Sequence, residues 1–547
     1  MAQAYGRGPS NPPLKEQTLG AFIDSAAEKW RHREAIVGCD ERTRLTYEGL
    51  SDQVRAIAGA YLSYGVGRGD RIAIWSKNCS EWIVAQAAAA KIGAILVAIN
   101  PLFRSAELTQ ALRMTKPKVL IIGRHGTDPG TRRILEEART ADEVAGSIRQ
   151  MISLGATVQP GLARWADCAA RSATAPSVAS SPFANDAAAM ILFTSGTTGE
   201  PKGVVLSHGN VLNGGYFVGQ RLRLTESDKV CLPVPLFHVL GCVAAVWAAL
   251  THGAAIVLPS ERFDAGKCLS AISTEHCTAI VAVPSMFLAQ LERPDFQDYD
   301  LKCLRTGVVS GAACSAELMA RISTDMHLPE ITVAYGMTEA APILFTDIHD
   351  SLAIRSTCAG VVQPHVECQI VDVDTREVVS HGERGELRAR GYCVMKGYWN
   401  DQHATAQVVD QSGWMHTGDL AEMRSDGYVS IVGRVKDLVI RGGENISPLE
   451  IERVLSNHPS VAEACVVGVP DREYGEELCA FVRLGSASGS VEELRRHCRT
   501  HLAPHKIPKH VLFTSTFPTT PSGKIQKWRL RQEALTQIRD ANVQGPQ

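Results

Sequence analysis

The sequence predicts an α/β protein. Its large N-terminal domain contains two doubly wound α/β subdomains and a β-rich subdomain, and its C-terminal domain is small and α+β. Three observations lead to this fold. Short β-rich runs alternate with helical patterns up to residue 122, a second alternating set spans residues 255–334, and glycine-punctuated hairpin patterns follow residue 355. A chain of 547 residues is also too long to form one core.

The first alternating set begins at Leu19, where apolar residues start to recur at helical spacing. Its predicted helices are Leu19–Trp30, Tyr47–Gly65 and Ser80–Ala90. Its predicted strands are Arg71–Trp75, Ile95–Ile99 and Val119–Ile122. Ahead of this set, residues 1–13 are polar and contain three prolines, which predicts a disordered lead-in.

The second set supplies the other sheet of the large domain. Its strands are predicted at Ala255–Leu258, Ala279–Val283, Val308–Ser310 and Ile331–Ala334. Between the two sets, Cys168–Asn185 is rich in Ala, Ser and Pro, which indicates either a linker at a domain boundary or a surface loop. The β-rich pattern continues to Val432, and we expect the domains to be residues 1–435 and 436–547. Helices of the C-terminal domain are predicted at Pro448–Asn457 and Ser490–His501.

The composition excludes several classes of function. The formal net charge is only −2, from 56 Lys and Arg against 58 Asp and Glu, so nothing favours a nucleic acid or an anionic membrane as partner. The span Ile83–Ile99 contains Gln86 and Lys91 and is too short for a transmembrane helix. Fifteen cysteines are scattered without a CxxC pair, so we expect reduced thiols and an intracellular, cytoplasmic protein, with an organelle left open.

The segment Thr194–Gly203 directly follows an apolar run and is rich in glycine and hydroxyl side chains. Glycine lets backbone N–H groups approach an anion closely, the hydroxyls add donors, and Lys202 adds a positive charge. This composition predicts a loop that binds the phosphates of a nucleotide, although a Gly/Thr-rich hairpin turn has the same appearance. The candidate ligands are Thr194, Ser195, Gly196, Thr197, Thr198, Gly199 and Lys202.

Five further segments carry polar side chains suited to a nucleotide. Residues 334–339 follow a predicted strand and offer a ring for adenine, a hydroxyl for phosphate and a carboxylate for Mg²⁺. Asp419, in Gly413–Leu420, suits the two hydroxyls of a ribose. The others are Gly433–Asp437, Arg441–Asn445 and Pro521–Ile525. Each segment alone is equally compatible with an ordinary turn or a solvated face, but their occurrence together and in order favours the nucleotide site.

In this order, the six segments resemble the core motifs of the adenylate-forming superfamily of acyl-CoA synthetases, luciferase and adenylation domains, and the resemblance extends from about Leu19 to Arg531. Within the superfamily, Pro235–Gly241, Arg390–Trp399 and Ile440–Ile446 are most similar to medium-chain acyl-CoA ligases. The resemblance implies an enzyme that uses ATP and Mg²⁺ to activate a carboxylic acid, such as a medium-chain fatty acid. It would form an acyl-adenylate, release pyrophosphate and transfer the acyl group to CoA.

The resemblance also implies a role for each candidate residue. Lys524 would bridge the substrate carboxylate and the α-phosphate, and residues 194–202 would hold the β- and γ-phosphates. Glu339 would bind Mg²⁺, and Thr338 would contact phosphate. Adenine would lie between Tyr335-Gly336 and the turn Gly311-Ala312-Ala313, while Asp419 and Arg434 would hold the ribose.

Lys524 and the Arg441–Asn445 turn belong to the same small domain, yet the resemblance assigns them to different half-reactions at one site. It therefore implies that the C-terminal domain is mobile and rotates about Lys436. After rotation, Gly443 would line a tunnel for pantetheine, with His238 at its inner end. The small residues from Gly241 to Ala245 would leave room for an acyl chain.

Alternatives remain open at this stage. The phosphopantetheine arm of a carrier protein presents the same thiol as CoA, so the motifs do not separate these two acceptors. A binding or scaffold protein without activity is disfavoured because all the charged motif positions are intact. A serine hydrolase is disfavoured because the sequence has no Gly-x-Ser-x-Gly motif. The identity of the acid and the oligomeric state are not readable from the sequence.

Overall fold

The computed structural model describes residues 2–124, 129–141, 144, 146–155, 161–170, 184–195, 201–441, 444–471, 474–485, 488–519 and 525–543. The strands of the N-terminal part are β1 (Tyr5–Arg7), β2 (Glu34–Gly38), β3 (Thr43–Thr46), β4 (Arg71–Trp75), β5 (Ile95–Ile99), β6 (Val119–Ile122), β7 (Gln150–Ser153), β8 (Leu162–Arg164), β9 (Ala188–Ser195), β10 (Pro201–Ser207), β11 (Lys229–Cys231), β12 (Ala255–Leu258), β13 (Ala279–Ala282), β14 (Thr306–Ser310), β15 (Glu330–Met337), β16 (Ala340–Phe345), β17 (Val361–Val362), β18 (Val366–Val371), β19 (Arg384–Gly391), β20 (Gly397–Tyr398), β21 (Met415–Met423) and β22 (Val429–Arg434).

The helices of the same part are α1 (Leu19–Lys29), α2 (Tyr47–Ser63), α3 (Ser80–Lys91), α4 (Ser105–Thr115), α5 (Pro129–Arg139), α6 (Trp165–Ala170), α7 (His208–Arg221), α8 (Val246–His252), α9 (Ala265–Glu275), α10 (Pro284–Leu291), α11 (Ala316–Asp325), α12 (Leu352–Thr357) and α13 (Gln402–Val408). A π-helix covers Leu240–Ala245, and a short 3₁₀ turn covers Phe296–Asp298.

Three sheets build the N-terminal part. Sheet A has the order β20-β10-β9-β5-β4-β6-β7-β8 and is parallel from β9 to β8. Sheet B has the order β17-β16-β15-β14-β13-β11-β12-β2-β3 and is parallel from β15 to β2. Sheet C, with the order β1-β18-β19-β21-β22, is antiparallel. The predicted pair of α/β subdomains with a β-rich subdomain is confirmed.

The main hydrophobic core lies between sheets A and B. It joins side chains of both sheets, such as Leu192 and Ile256, to buried side chains of the intervening helices, including Trp82 and Trp247. Fully buried parallel strands read as continuous apolar runs, which explains why β4, β5 and β6 coincide with their predicted bounds. One difference is that β2 and β3 precede the strands of sheet A in the chain but pair in sheet B.

The prediction of a disordered N-terminus is wrong. Tyr5–Arg7 pairs with β18 at the edge of sheet C, and Ala4 is fully buried. This strand is held by backbone hydrogen bonds, which leave little trace in the side-chain pattern. The linker interpretation of Cys168–Asn185 is also wrong, because β8 and β9 on either side of it belong to the same sheet; residues 171–183 lie outside the described part.

The C-terminal domain has its own sheet and core. Its strands and helices are β23 (Val439–Arg441), β24 (Glu444–Ile446), β25 (Val461–Asp471), β26 (Gly475–Leu484), β27 (His510–Phe513), α14 (Pro448–Ser456), α15 (Val491–His501) and α16 (Lys527–Val543), with a 3₁₀ turn at Pro504–Lys506. The chain enters this domain from β22 through a 3₁₀ turn at Val435–Asp437. Among the residues described, no helix is both long and apolar enough to cross a bilayer.

Candidate active site

A cavity of about 960 Å³ lies where the ends of sheets A and B meet sheet C and the start of the C-terminal domain. Its wall includes Thr194 and Lys202 from sheet A, Tyr335 from sheet B, and Arg434 from sheet C. Segments that are far apart in the sequence thus converge on one space at the carboxyl ends of the parallel strands. Open α/β sheets bind their ligands at this position.

Asp419 is the centre of a polar cluster on this wall. Its carboxylate is almost fully buried, at 7% exposure, and accepts a hydrogen bond of 2.6 Å from the Tyr335 hydroxyl and one of 2.8 Å from Arg434 Nε. Burial and the neighbouring Asp419 carboxylate raise the pKa of Tyr335, so the phenol stays protonated and donates. Three side chains that the sequence assigns to nucleoside recognition are therefore in direct contact.

A second carboxylate supports the turn before Asp419. Glu386 Oε1 accepts a hydrogen bond of 3.2 Å from the Gly418 N–H, and Oε2 lies 2.9 Å from His416 Nδ1 and 2.7 Å from Arg376 Nη1. Burial opposes ionisation of Glu386, but the hydrogen bond and charge of His416 and the N–H of Gly418 hold its pKa below the ordinary value of 4.5. Gly418 has φ +69°, a conformation that favours glycine.

Glu339 and Lys202 approach each other through Tyr398. The Tyr398 hydroxyl donates a hydrogen bond of 2.9 Å to Glu339 Oε1, and Lys202 Nζ lies 4.9 Å from the centroid of the Tyr398 ring. Glu339 is buried at 7% exposure but still lines the cavity, as does Thr338 beside it. A carboxylate and a cation at one end of the cavity suit a polyphosphate and its metal ion.

The predicted phosphate loop joins two antiparallel strands. In the β9–β10 pair Thr194 stands opposite Lys202, and both residues line the cavity. The hairpin geometry expected from the alternative interpretation is therefore present, and it points this end of the loop into the cavity. Gly196, Thr197, Thr198 and Gly199 lie outside the described residues, and the strand bounds include Ser195 at the end of β9.

The opposite arm of the cavity is apolar. Val218, Val243, Ala244, Val281, Val308 and Phe345 line this apolar arm. Between residues 218 and 308, the described cavity wall carries no Asp, Glu, Lys or Arg. His238 lies at the mouth of the arm, half-buried, with its ring 4.5 Å from that of Phe237.

Residues 240–245 form the π-helix beside this arm. Val243 and Ala244 face the cavity, whereas Gly241 is buried and is absent from the cavity wall described. A Cβ at Gly241 would lie only 2.3 Å from the Pro235 carbonyl oxygen, so this close approach requires glycine. The small residues therefore serve partly to pack the π-helix and partly to widen the arm.

The remaining candidates are distributed as follows. Gly311, with φ +87°, and Gly336 line the cavity, whereas Ala312 and Ala313 are exposed and lie outside its described wall. Lys436 is exposed and lines the cavity at the start of the C-terminal domain.

Two candidates of the C-terminal domain, Gly443 and Lys524, lie outside the described residues. Gln526, two positions after Lys524, lines the cavity. Arg441 instead faces its own domain, because its Nε lies 2.8 Å from Glu477 Oε1 and its Nη1 donates to the His505 carbonyl. No described residue from 437 to 519 lines the cavity.

Comparison with known proteins agrees with this geometry. Residues 23–399 match the model of the AMP-binding enzyme family, and residues 450–524 match the AMP-binding enzyme C-terminal domain. The chain belongs to the AMP-binding enzyme family. It is thus an adenylate-forming enzyme, as the motif order predicts, and the family's two-domain α/β fold is present.

Individual relatives extend over nearly the whole chain. Acyl-CoA ligase SID4 of Ajellomyces capsulatus is 40% identical over 96% of this chain and 93% of its own. Mitochondrial medium-chain acyl-CoA ligase ACSF2 of Mus musculus is 37% identical over 97% of this chain and 89% of its own. The crystal structure of ATP-bound MatB from Rhodopseudomonas palustris superposes with a TM-score of 0.83, at 26% identity, covering 94% of this chain and 99% of MatB.

Sequence reasoning missed Tyr398 and Glu386 as site residues. Tyr398 lies within the Arg390–Trp399 motif, which served only as a mark of resemblance. A polar aromatic residue at the end of that motif was the available signal. Glu386 begins with no comparable signal, because its partners Gly418 and His416 are about thirty positions away, as the offsets in the chain show.

Proposed function

We propose that this enzyme is an AMP-forming acid–thiol ligase that converts a medium-chain fatty acid to its CoA thioester. The observation that carries the proposal is the composition of the cavity. Its polar end combines Asp419, Arg434, Glu339 and Lys202, and its other end is the apolar arm without charged side chains. A nucleotide fits the first and an aliphatic chain fits the second.

The reaction has two steps. In the first, a carboxylate oxygen of the acid attacks the α-phosphorus of ATP, the bond to the β-phosphate oxygen breaks, and pyrophosphate leaves. In the second, the CoA thiol loses its proton and attacks the acyl carbonyl, and AMP leaves as the thioester forms. Both reactants of the first step are anions, so fixed positive charge and oriented donors are the main requirement.

The nucleotide roles follow from the contacts. Asp419, held by Tyr335 and Arg434, accepts hydrogen bonds from ribose hydroxyls through its remaining lone pairs. The Tyr335 ring and Gly311 border the adenine on the cavity wall. Thr194, Lys202 and Thr338 contact phosphate oxygens, and Lys524 acts between the substrate carboxylate and the α-phosphate.

Mg²⁺ fits the polar end. Glu339 offers a carboxylate on the cavity wall whose one hydrogen-bond donor among the described side chains is the neutral Tyr398 hydroxyl, so its charge is not neutralised. Mg²⁺ prefers such oxygen ligands and completes its shell with water and phosphate oxygens. When bound, the ion would neutralise charge on the phosphates.

The two half-reactions require two domain positions. The described structure has Gln526 on the cavity wall and Arg441 bonded within its own domain, which corresponds to the arrangement for adenylation. We propose that the domain boundary lies at residues 435 and 436 and that the 3₁₀ turn around Lys436 is the hinge. Rotation there brings Gly443 to the cavity for thioester formation, with His238 at the inner end of the pantetheine path. All fifteen cysteines are free thiols, which suits a reducing intracellular compartment.

ATP–pyrophosphate exchange across a series of straight-chain acids tests the proposal. Each buried methylene contributes about 0.8 kcal/mol, so kcat/KM should rise about fourfold per methylene until the arm is full. Dicarboxylic acids of the same length serve as controls and should be poor substrates, because the arm offers no charged partner. Equal use of both series would contradict the assignment of the apolar arm.

A further inference from the structure

Residues 394–399, here called the crossing segment, connect the two catalytic edges of the large domain. The Met395 N–H donates a hydrogen bond of 2.8 Å to the Glu339 carbonyl in the turn between β15 and β16 of sheet B. The Trp399 N–H donates one of 2.7 Å to the Gly203 carbonyl in β10 of sheet A. The crossing segment therefore ties the turn that carries Glu339 to the hairpin that carries Lys202.

Tyr398 is the residue of this segment whose side chain reaches both functional groups. Its hydroxyl donates to Glu339 Oε1 at 2.9 Å, and its ring lies 4.9 Å from Lys202 Nζ. Its backbone is fixed as well, because its N–H donates a hydrogen bond of 2.9 Å to Thr405 Oγ1. The side chain is thus anchored before any ligand arrives.

The chemistry of these contacts suits a positioning role. A guanidinium or ammonium partner would neutralise Glu339 and weaken its attraction for a cation, whereas a neutral hydroxyl orients the carboxylate and leaves its charge intact. The face of an aromatic ring likewise attracts an ammonium group without removing its charge. Among the described residues, Lys202 makes no ion pair, so its charge also stays available for phosphate.

We propose that Tyr398 is a positioning residue that holds the Glu339 carboxylate and the Lys202 ammonium in one frame for the metal-bound triphosphate. This inference rests on the proposed function, in which Glu339 binds Mg²⁺ and Lys202 binds phosphate. Tyr398 itself touches neither the metal nor the reacting atoms. It acts through Glu339 and Lys202.

Equilibrium binding of ATP in the absence of any acid tests this role, with calorimetry in Mg²⁺ and, separately, in EDTA. Tyr398→Phe keeps the ring and removes only the hydroxyl. The Kd of ATP with Mg²⁺ should rise roughly tenfold, which is the loss expected for a hydrogen bond to a charged group, while the Kd in EDTA stays unchanged. Tyr398→Leu removes the ring too and should weaken ATP binding under both conditions.

Two comparisons make the result specific. Tyr392→Phe is the matched control, because the Tyr392 hydroxyl is buried on the neighbouring stretch and makes no hydrogen bond with the described residues. It should leave both Kd values as in the wild type. In a Glu339→Gln background, Tyr398→Phe should cause no further change, because the carboxylate that it orients is already lost.

The outcomes separate the possibilities. An unchanged Kd with Mg²⁺ in Tyr398→Phe, or an equal rise with and without Mg²⁺, would overturn the positioning role. Additive effects in the double variant would do the same. If wild-type protein bound ATP equally well with and without Mg²⁺, the assignment of Glu339 within the proposed function would fail first and Tyr398 with it.

Discussion

Asp419 stands directly opposite Arg434 in the β21–β22 pair, and Arg434 Nε donates a hydrogen bond of 2.8 Å to its Oδ1. Strand register therefore fixes the ion pair, and the Tyr335 hydroxyl fixes the other carboxylate oxygen at 2.6 Å. A carboxylate held from two sides is oriented before the nucleotide binds, so little ordering remains to be done on binding. The ribose site is thus built from one strand pair and one neighbouring turn.

Asp419→Asn should raise the KM for ATP roughly tenfold or more, because the amide loses charge-assisted hydrogen bonds to the ribose and to Arg434. The KM for the acid should change little. Steady-state kinetics with each substrate varied in turn measure both values. Asp426→Asn is the matched control, since Asp426 lies in the exposed turn of the same hairpin and pairs with Arg424. An unchanged KM for ATP in folded Asp419→Asn would exclude ribose binding at this carboxylate.

Lys524→Ala should abolish acyl-adenylate formation and spare thioester formation. Only the first half-reaction brings two anions together and needs a cation between them. Pyrophosphate release from ATP measures the first step, and supplying preformed acyl-adenylate with CoA measures the second. Lys509→Ala, an exposed lysine of the same domain, serves as the control. Similar losses in both steps would show that Lys524 has another role.

Lys436→Pro should permit adenylation in a single turnover and nearly stop thioester formation. Proline fixes φ in the 3₁₀ turn at Val435–Asp437, where the chain passes between the domains, and so restrains rotation. Lys436→Ala removes the charge but keeps the backbone free, and it should retain both steps. Melting temperatures of the two variants provide the stability control. A proportional loss of both half-reactions in Lys436→Pro would contradict the hinge.

Glu386 predicts an acid-sensitive contribution to stability. Its pKa is below 4.5 in the folded protein, so ionised Glu386 stabilises the fold above pH 4.5, and this contribution is lost as pH falls through the folded pKa. Glu386→Gln should lower the free energy of unfolding by about 1–3 kcal/mol at neutral pH and by much less in strong acid. Urea unfolding at both pH values measures the difference.

Glu377→Gln is the control for this measurement, because Glu377 is exposed near the same sheet edge. It should unfold like the wild type at both pH values. If Glu386→Gln lost the same free energy in strong acid as at neutral pH, ionisation of Glu386 would not be the source of the stability.

The sequence was most informative where one element carries its own signal. The buried strand Arg71–Trp75 is a continuous apolar run after one polar residue, and the structure has the same bounds. Strand β1 has no such signal, because Tyr5–Arg7 is polar and joins sheet C through its backbone. The small residues at 241–245 predicted space, but the π-helix and the contact of Gly241 with Pro235 depend on tertiary packing.

The candidate site divides in the same way. Short motifs indicated Asp419, Tyr335, Glu339 and Lys202 as polar groups of one site, and the structure brings these side chains to one cavity. Their individual roles stay predictions. The bond from Tyr398 to Glu339 joins residues 59 positions apart, on strands of two different sheets, and such a contact has no local pattern in the chain.

Product analysis tests the central claim most directly. The enzyme is incubated with ATP, Mg²⁺, CoA and octanoic acid, and all nucleotide, phosphate and thioester products are quantified. The account predicts equal amounts of AMP, pyrophosphate and octanoyl-CoA, with no turnover when the acid is omitted. Formation of ADP and orthophosphate, or release of AMP without a thioester for any straight-chain acid, would contradict it.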